Sequence, residues 1–229
     1  MKVNRTILRQ IKSQLIVSCQ APKSSPLHDK YIVSKIAEAC ILQGAKGLRL
    51  DTPEHVFACR ELLPEIPIIG LWKREYPDSD VYITPCIEDA LAIIEAGADI
   101  VAIDATLRER PKGETVAQLI DEIHRLGKLV MADIDSLESA MAAEALGADL
   151  VGTTLFGYTN QSKQFSPPGY ELLAQCLERL DIPVICEGGI ATPTMLNKAR
   201  EIGAYSVVVG TAITGIDLNA KAFQAIIDS

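Results

Sequence analysis

Val184-Ile185-Cys186-Glu187-Gly188-Gly189-Ile190, a helix-length segment, then Ser206-Val207-Val208-Val209-Gly210-Thr211-Ala212 is the stretch that decides how this chain is read. Each half is a short apolar run closed by glycine and followed by a helix-like segment. That is the pattern of consecutive parallel strands covered on both faces. Glycines at strand ends let backbone N–H groups approach a ligand closely. The helix N-termini that follow suit an anion such as phosphate.

Upstream, the same alternation repeats. Apolar runs at 15–19, 47–50, 67–71, 100–103, 129–132 and 150–153 read as strands, followed by 184–186 and 206–209. Helical spacing is expected over 30–43, 53–63, 87–96 and 114–126, from the N-cap Ser136, and over 169–180, 192–202 and 218–227. Gly44-Ala45, Gly97-Ala98, Gly147-Ala148 and Gly203-Ala204 each fall between a helix and a strand, marking one recurring turn. Repeated right-handed βα crossovers follow from that pulse. The expected fold is α/β, a single (β/α)8 TIM barrel over 1–229, with a short N-terminal helix at 4–13 plugging its floor. An open doubly wound sheet would need a glycine-rich fingerprint after the first strand, and Gln20-Ala21-Pro22 is not one.

Composition narrows the function. The net charge of −8 argues against general binding to nucleic acid or anionic membrane. No apolar run approaches the roughly 18 residues of a membrane span. Lys2, Arg5 and Arg9 interrupt the N-terminus with no apolar core behind them, so no secretory leader is expected. The six cysteines form no CxxC and no Cys/His metal spacing, which reads as free thiols in a reducing cytoplasm. His28, His55 and His124 lie away from strand ends and read as surface or packing residues. No histidine–carboxylate cluster suggests a divalent metal, so a site without metal or cofactor is expected.

In a barrel, chemistry gathers at the C-terminal strand ends, and phosphate often lies after strands 7 and 8. Those ends carry Gln20, Arg49, Lys73, Asp104, Asp133, Thr153, Glu187 and Gly210. Lys73 at the mouth would serve as a base if burial and a neighbouring cation lowered its pKa, and Arg49 is the expected cation. Glu187, between an apolar strand and two glycines, is a charge that needs a partner. Together they form a candidate pair for moving a proton on and off carbon. Asp104 and Asp133 would cap loops or hold Lys73. Arg49 would bind an anion or pair with Asp51, and Gln20 would bond substrate or close its strand.

At these residues the chain resembles the N-acetylmannosamine-6-phosphate 2-epimerase family. The matching pieces include Val17-Ser18-Cys19-Gln20, Gly47-Leu48-Arg49, Gly70-Leu71-Trp72-Lys73-Arg74, Met131-Ala132-Asp133-Ile134, Gly152-Thr153-Thr154-Leu155-Phe156-Gly157-Tyr158-Thr159 and Glu187-Gly188-Gly189-Ile190. The resemblance implies interconversion of N-acetylmannosamine 6-phosphate and N-acetylglucosamine 6-phosphate, in sialic-acid breakdown, at a metal-free site. It implies Lys73 and Glu187 as catalytic residues and Gln20, Arg49 and Asp133 as substrate contacts. Gly189, Gly210 and Thr211 would lie at the phosphate. One position departs: Gly215 follows Ala212-Ile213-Thr214, where members often carry arginine. The substrate is then a phosphorylated N-acetyl amino sugar. In open-chain form its C1 carbonyl acidifies C2–H, Lys73 exchanges that proton, and Glu187 aids ring opening, delivers a proton or tunes Lys73. A lysine Schiff-base aldolase and a non-catalytic phosphosugar-binding protein are the alternatives. A homodimer is expected, as barrels of this kind commonly pair.

Overall fold

The structure, a computed structural model, describes residues 6–228. Eight strands, β1 (Leu15–Cys19), β2 (Gly47–Asp51), β3 (Ile68–Leu71), β4 (Ile100–Asp104), β5 (Leu129–Asp133), β6 (Leu150–Gly152), β7 (Val184–Cys186) and β8 (Ser206–Val209), close in chain order into a barrel. Every neighbouring pair is parallel, including β8 with β1. The helices are α1 (Thr6–Ile11), α2 (Lys30–Leu42), α3 (Pro53–Leu62), α4 (Ile87–Glu95), α5 (Val116–Arg125), α6 (Leu137–Ala145), α7 (Tyr170–Arg179), α8 (Pro193–Ile202), α9 (Thr211–Thr214) and α10 (Ile216–Ile227). This is the expected (β/α)8 TIM barrel.

Strand alternation splits the apolar side chains into two cores. Ile16, Ile69, Ile100, Leu129, Leu150, Ile185 and Val208 point inward, over Ile11 of α1. Their neighbours Val17, Leu48, Ile68, Val101, Val130, Val151 and Val184 point outward beneath the helices. Most strands are therefore apolar on both faces, which is why their runs read as continuous; β2 is the exception, with Gly47 and Arg49 inward and Leu48 and Leu50 outward. The expected N-terminal helix appears as α1, and positions 4 and 5 of it lie outside the described residues.

The Gly-Ala pulse is a helix stop. Gly44, Gly97, Gly147 and Gly203 have φ of 104°, 103°, 98° and 117°, the left-handed conformation that ends a helix. Where aspartate follows, it fastens the preceding strand. Asp99 Oδ2 accepts from the Ile68 N–H at 3.0 Å and Arg60 at 2.6 Å. Asp149 Oδ2 accepts from the Val130 N–H at 2.9 Å and lies 2.8 Å from His124 Nε2.

Most boundaries fall within two residues of expectation, and two of the differences bear on the mouth. The strand expected to reach 153 stops at Gly152, because Thr153–Leu155 coils into a single tight helical turn. The final helix begins at Ile216 rather than 218, and the short α9, which periodicity over four residues does not reveal, precedes it. No helix among the described residues is long and apolar enough to cross a membrane.

Candidate active site

Continuing the inward alternation past the apolar layers brings Gln20, Arg49, Lys73, Asp104, Asp133, Thr154 and Glu187 to the C-terminal mouth. Arg49 is the anchor. It is 1% exposed, in the middle of β2. Its fork donates to both oxygens of Asp133, Nη1 to Oδ1 at 3.2 Å and Nη2 to Oδ2 at 2.6 Å. Such a two-point pair fixes both groups in plane as well as in charge. Asp133 is fully buried and also accepts from Thr154 Oγ1 at 2.6 Å.

Glu187 completes the charge cluster. Its Oε1 lies 3.0 Å from Arg49 Nε, an ion pair without the alignment of a hydrogen bond, and its Oε2 is buried with no hydrogen-bond partner among the described residues. Burial pushes its carboxyl up to about 7, with the Asp133 charge adding to the shift; Arg49, the nearby Thr154 hydroxyl and Lys73 oppose it. The result is a carboxyl that holds or releases a proton at neutral pH.

Lys73 stands at the exposed rim, one residue beyond Trp72. Its Nζ donates to Gln20 Oε1 at 2.6 Å, and Gln20 Nε2 in turn donates to Ser18 Oγ at 3.0 Å. The Lys73 N–H donates to Asp51 Oδ1 at 2.9 Å, and a short antiparallel bridge to Ile83 ties the following loop down. Arg74, paired with buried Asp89 at 2.8 Å and lying over the Trp72 ring at 4.9 Å, secures the far side. The lysine is thus held by several independent fixings although its head is open to solvent.

Three expectations are corrected here, for Arg49, Asp133 and Thr153. Arg49 neither pairs with Asp51 nor stands as a free cation for Lys73, because Asp133 and Glu187 neutralise it. Asp133 does not hold Lys73; Gln20 and Asp51 do. Asp104 takes the first of its two expected roles and caps the following loop, its Oδ1 accepting from the Thr106 N–H at 3.1 Å and the Thr106 hydroxyl at 2.7 Å, with Arg108 paired to it at 2.5 Å. Thr153 points away from the barrel axis, its hydroxyl donating to the Glu187 carbonyl at 2.9 Å, and the inward residue is Thr154. Counting in steps of two from inward-facing Leu150, through Gly152, reaches Thr154 in the sequence.

On the far side of the mouth, Gly188 and Gly189 have φ of 102° and 68°. A Cβ on Gly189 would lie 2.8 Å from the Pro167 carbonyl carbon, so no side chain is tolerated there. Gly210 leads directly into α9, against Ser18. The first N–H groups of that turn have no acceptor within the helix. Gly189, Gly210 and Thr211 therefore present backbone at the ends of adjacent strands. Gly215 is equally constrained: a Cβ there would lie 2.8 Å from the Thr211 carbonyl oxygen, so an arginine would not fit this backbone. Among the described residues, no group of three or more His, Cys, Asp and Glu is arranged to hold a metal ion.

Fold and mouth together define a (β/α)8-barrel protein with acid–base side chains at its strand ends and open backbone after β7 and β8. Residues 33–229 match the family described as putative N-acetylmannosamine-6-phosphate epimerase, and the chain belongs to that family. It is 58% identical over 218 residues to a putative N-acetylmannosamine-6-phosphate 2-epimerase of Synechococcus elongatus, covering 94% of each chain. It is 44% identical over 221 residues to the corresponding Clostridium perfringens protein, covering 96% of this chain and 100% of that one. A solved structure of the Clostridium perfringens N-acetylmannosamine-6-phosphate 2-epimerase superposes with a TM-score of 0.93 over 96% of both chains, at 44% identity. Deoxyribose phosphate aldolase from Aeropyrum pernix, 16% identical with a TM-score of 0.66, shares the fold alone.

Proposed function

We propose that this protein is an isomerase that interconverts N-acetylmannosamine 6-phosphate and N-acetylglucosamine 6-phosphate by exchanging the proton on C2. The observation that carries the reading is Glu187. It is a buried carboxyl poised at about 7 with one oxygen unpartnered, in the same mouth as Lys73. Inverting a carbon next to a carbonyl needs two things: a group to take the proton from one face and a group to return one to the other. In this reading Lys73 and Glu187 are those groups. In one working form the lysine is protonated and the glutamate ionised; in the other the proton has changed places. Gln20 orients the sugar, fully buried Asp133 acts on it through Arg49 and Thr154 and not by direct contact, Arg49 holds the carboxylates, and the backbone of Gly189, Gly210 and Thr211 receives the phosphate. Donors fixed before substrate arrives stabilise the developing enolate oxygen without reorganising.

Proton NMR of N-acetylmannosamine 6-phosphate with the protein in D₂O tests this. N-acetylglucosamine 6-phosphate bearing deuterium at C2 is the expected product. A folded protein that gives neither product nor exchange would sink the reading, and trapping of a covalent substrate adduct by borohydride would replace it with Schiff-base chemistry.

A pH dependence follows. Both working forms carry one proton on the pair, so protonating Glu187 while Lys73 keeps its proton leaves no base. The kcat/KM is therefore expected to fall about tenfold per pH unit below about 7, in both directions of the reaction. A flat profile from pH 5 to 8 would remove Glu187 from the proton transfer.

The finer setting is also proposed. The reaction belongs to sialic-acid breakdown, as the family resemblance implies. A reducing cytoplasm agrees with six cysteines that are all free. The assembly is a homodimer: α10 has no buried residue, and Ile216, Leu218, Phe223, Ile226 and Ile227 on it are all more than half exposed. Apolar surface of that kind marks an interface, and every copy carries the same one, which a two-fold axis pairs with itself. Phe223→Asp is expected to convert the dimer to monomer in sedimentation; an unchanged wild-type monomer would dismiss the dimer.

A further inference from the structure

A buried polar network that the proposed proton transfer does not use ties the loop between β6 and α7 to the β5–α6 turn and the start of α6. Asp135, Ser139, Thr159 and Ser162 are each buried. Thr159 Oγ1 donates to Asp135 Oδ2 at 2.6 Å, and Ser139 Oγ donates to Asp135 Oδ1 at 3.0 Å. Ser162 Oγ lies 2.8 Å from Thr159 Oγ1 and accepts from the Gly157 N–H at 3.0 Å. Pro167 closes the loop from the other side, and a Cβ on either Gly157 or Gly189 would lie 2.8 Å from it. All these fixings converge on one turn, Gly157-Tyr158-Thr159, and on the single side chain in it that they leave free.

That side chain is Tyr158. It is 56% exposed, and its hydroxyl makes no hydrogen bond among the described residues. Its ring lies over Gly188, 3.6 Å from where a Cβ would stand, immediately beside Glu187. The Glu187 charge reaches the phenol: burial first, then that charge, raises the tyrosine pKa. An aromatic ring carried on a tightly held turn, open to solvent over Gly188 and within reach of the Glu187 charge, with its hydroxyl unbonded, is built to meet something bound there. Tyrosine offers such a surface at low conformational cost, since only two side-chain torsions need be fixed.

We propose that Tyr158 is a substrate-contact residue: its ring walls the mouth on the Glu187 side against the bound amino sugar, and its hydroxyl donates or accepts one hydrogen bond to it. The buried Asp135 network is what positions that wall. The inference rests on the phosphosugar reading above for the identity of the ligand. It adds a second consequence, that the ring keeps water from Glu187, whose other neighbours are Arg49 of β2, Asp133 of β5, Lys73 after β3 and Thr154 after β6.

The test compares wild type, Tyr158→Phe and Tyr158→Ala. Binding of N-acetylglucosamine 6-phosphate is measured by calorimetry, and KM, kcat and the pH profile by C2 exchange. For Tyr158→Ala, Kd and KM are expected to rise about tenfold or more, and the acid limb to move to lower pH as water reaches Glu187. For Tyr158→Phe, a loss of about fivefold in binding is expected, with the limb unmoved. A structural role alone would not move the limb. Tyr158→Ala with wild-type Kd, KM and limb overturns the proposal. Wild type that binds the sugar without exchanging C2 ends the epimerase reading, while the Kd series still decides Tyr158. Wild type that does not bind the sugar ends both.

Discussion

Lys73→Ala is expected to lower kcat by about 10³-fold or more while leaving the fold intact. The magnitude follows from the size of a general acid–base contribution, about 10²–10⁴-fold, at a site where nothing stands ready to replace the lysine. The nearest cations are committed elsewhere: Arg49 to Asp133 and Glu187, Arg74 to Asp89, Arg108 to Asp104. Stability should hardly move. Lys73 is exposed, and among the described residues its ammonium donates a hydrogen bond to Gln20 alone. Surface changes of that kind stay within about 0.5 kcal/mol, or about 2 °C in Tm for a chain this long. The two-group reading makes a sharper prediction than inactivity. Glu187 remains in the variant, so the epimer whose C2–H faces it should still exchange deuterium slowly, without inversion. NMR of each epimer separately reads this directly. A variant that still epimerises would remove Lys73 from the reaction. A variant that exchanges neither epimer would show that Glu187 does not act on C2, leaving it the role of tuning the lysine.

The barrel was legible because its signals are local. A glycine forced into φ near 100° after each of four helices, and strands apolar on both faces, leave marks within a few residues. The strand-end positions follow from counting, and the list from Gln20 to Glu187 came out of the same arithmetic. What the residues bond to did not. Arg49 and Asp133 are 84 positions apart, and the preference of Arg49 for Asp133 over nearby Asp51 is decided by where β5 stands across the barrel. Lys73 finds Gln20 over 53 positions for the same kind of reason. Thr153 and Thr154 are identical in type and adjacent; only the inward phase of β6 separates the one that supports Asp133 from the one that braces β7. The cradle at Gly189 depends on Pro167, in a loop whose path no periodicity describes. Physical chemistry of the residue types thus locates the mouth, whereas tertiary geometry assigns partners within it.

Arg49→Met tests the consequence of that geometry with the largest effect on stability. Removing one partner of a buried pair costs about 3–5 kcal/mol, because the other charge is left desolvated and unpaired. Here two carboxylates are orphaned together. Asp133, fully buried, keeps only Thr154 and its place in the strand; Glu187 loses the cation that opposes its burial. A fall of about 6–20 °C in Tm is expected at pH 8. The sign with pH follows from linkage. In wild type the Glu187 carboxyl already sits at about 7, above its ordinary range, so its favourable share is complete below that range and is lost as pH rises through about 7. Without Arg49 it is pushed higher still, the carboxyl stays protonated further into the alkaline range, and the gap between variant and wild type widens as pH rises through neutrality. Denaturant midpoints at pH 5 and pH 8 measure the difference. Adding Asp133→Leu to Arg49→Met should recover part of the loss, since replacing both members of a buried ion pair with apolar groups is often neutral or stabilising. The double variant would remain inactive, because the group that holds Glu187 is gone. Recovery of stability without recovery of turnover would show that this pair is kept for the chemistry at the mouth and not for the fold. A single variant as stable as wild type at pH 8 would mean that the two carboxylates do not depend on Arg49, and the site would have to be rebuilt around another cation.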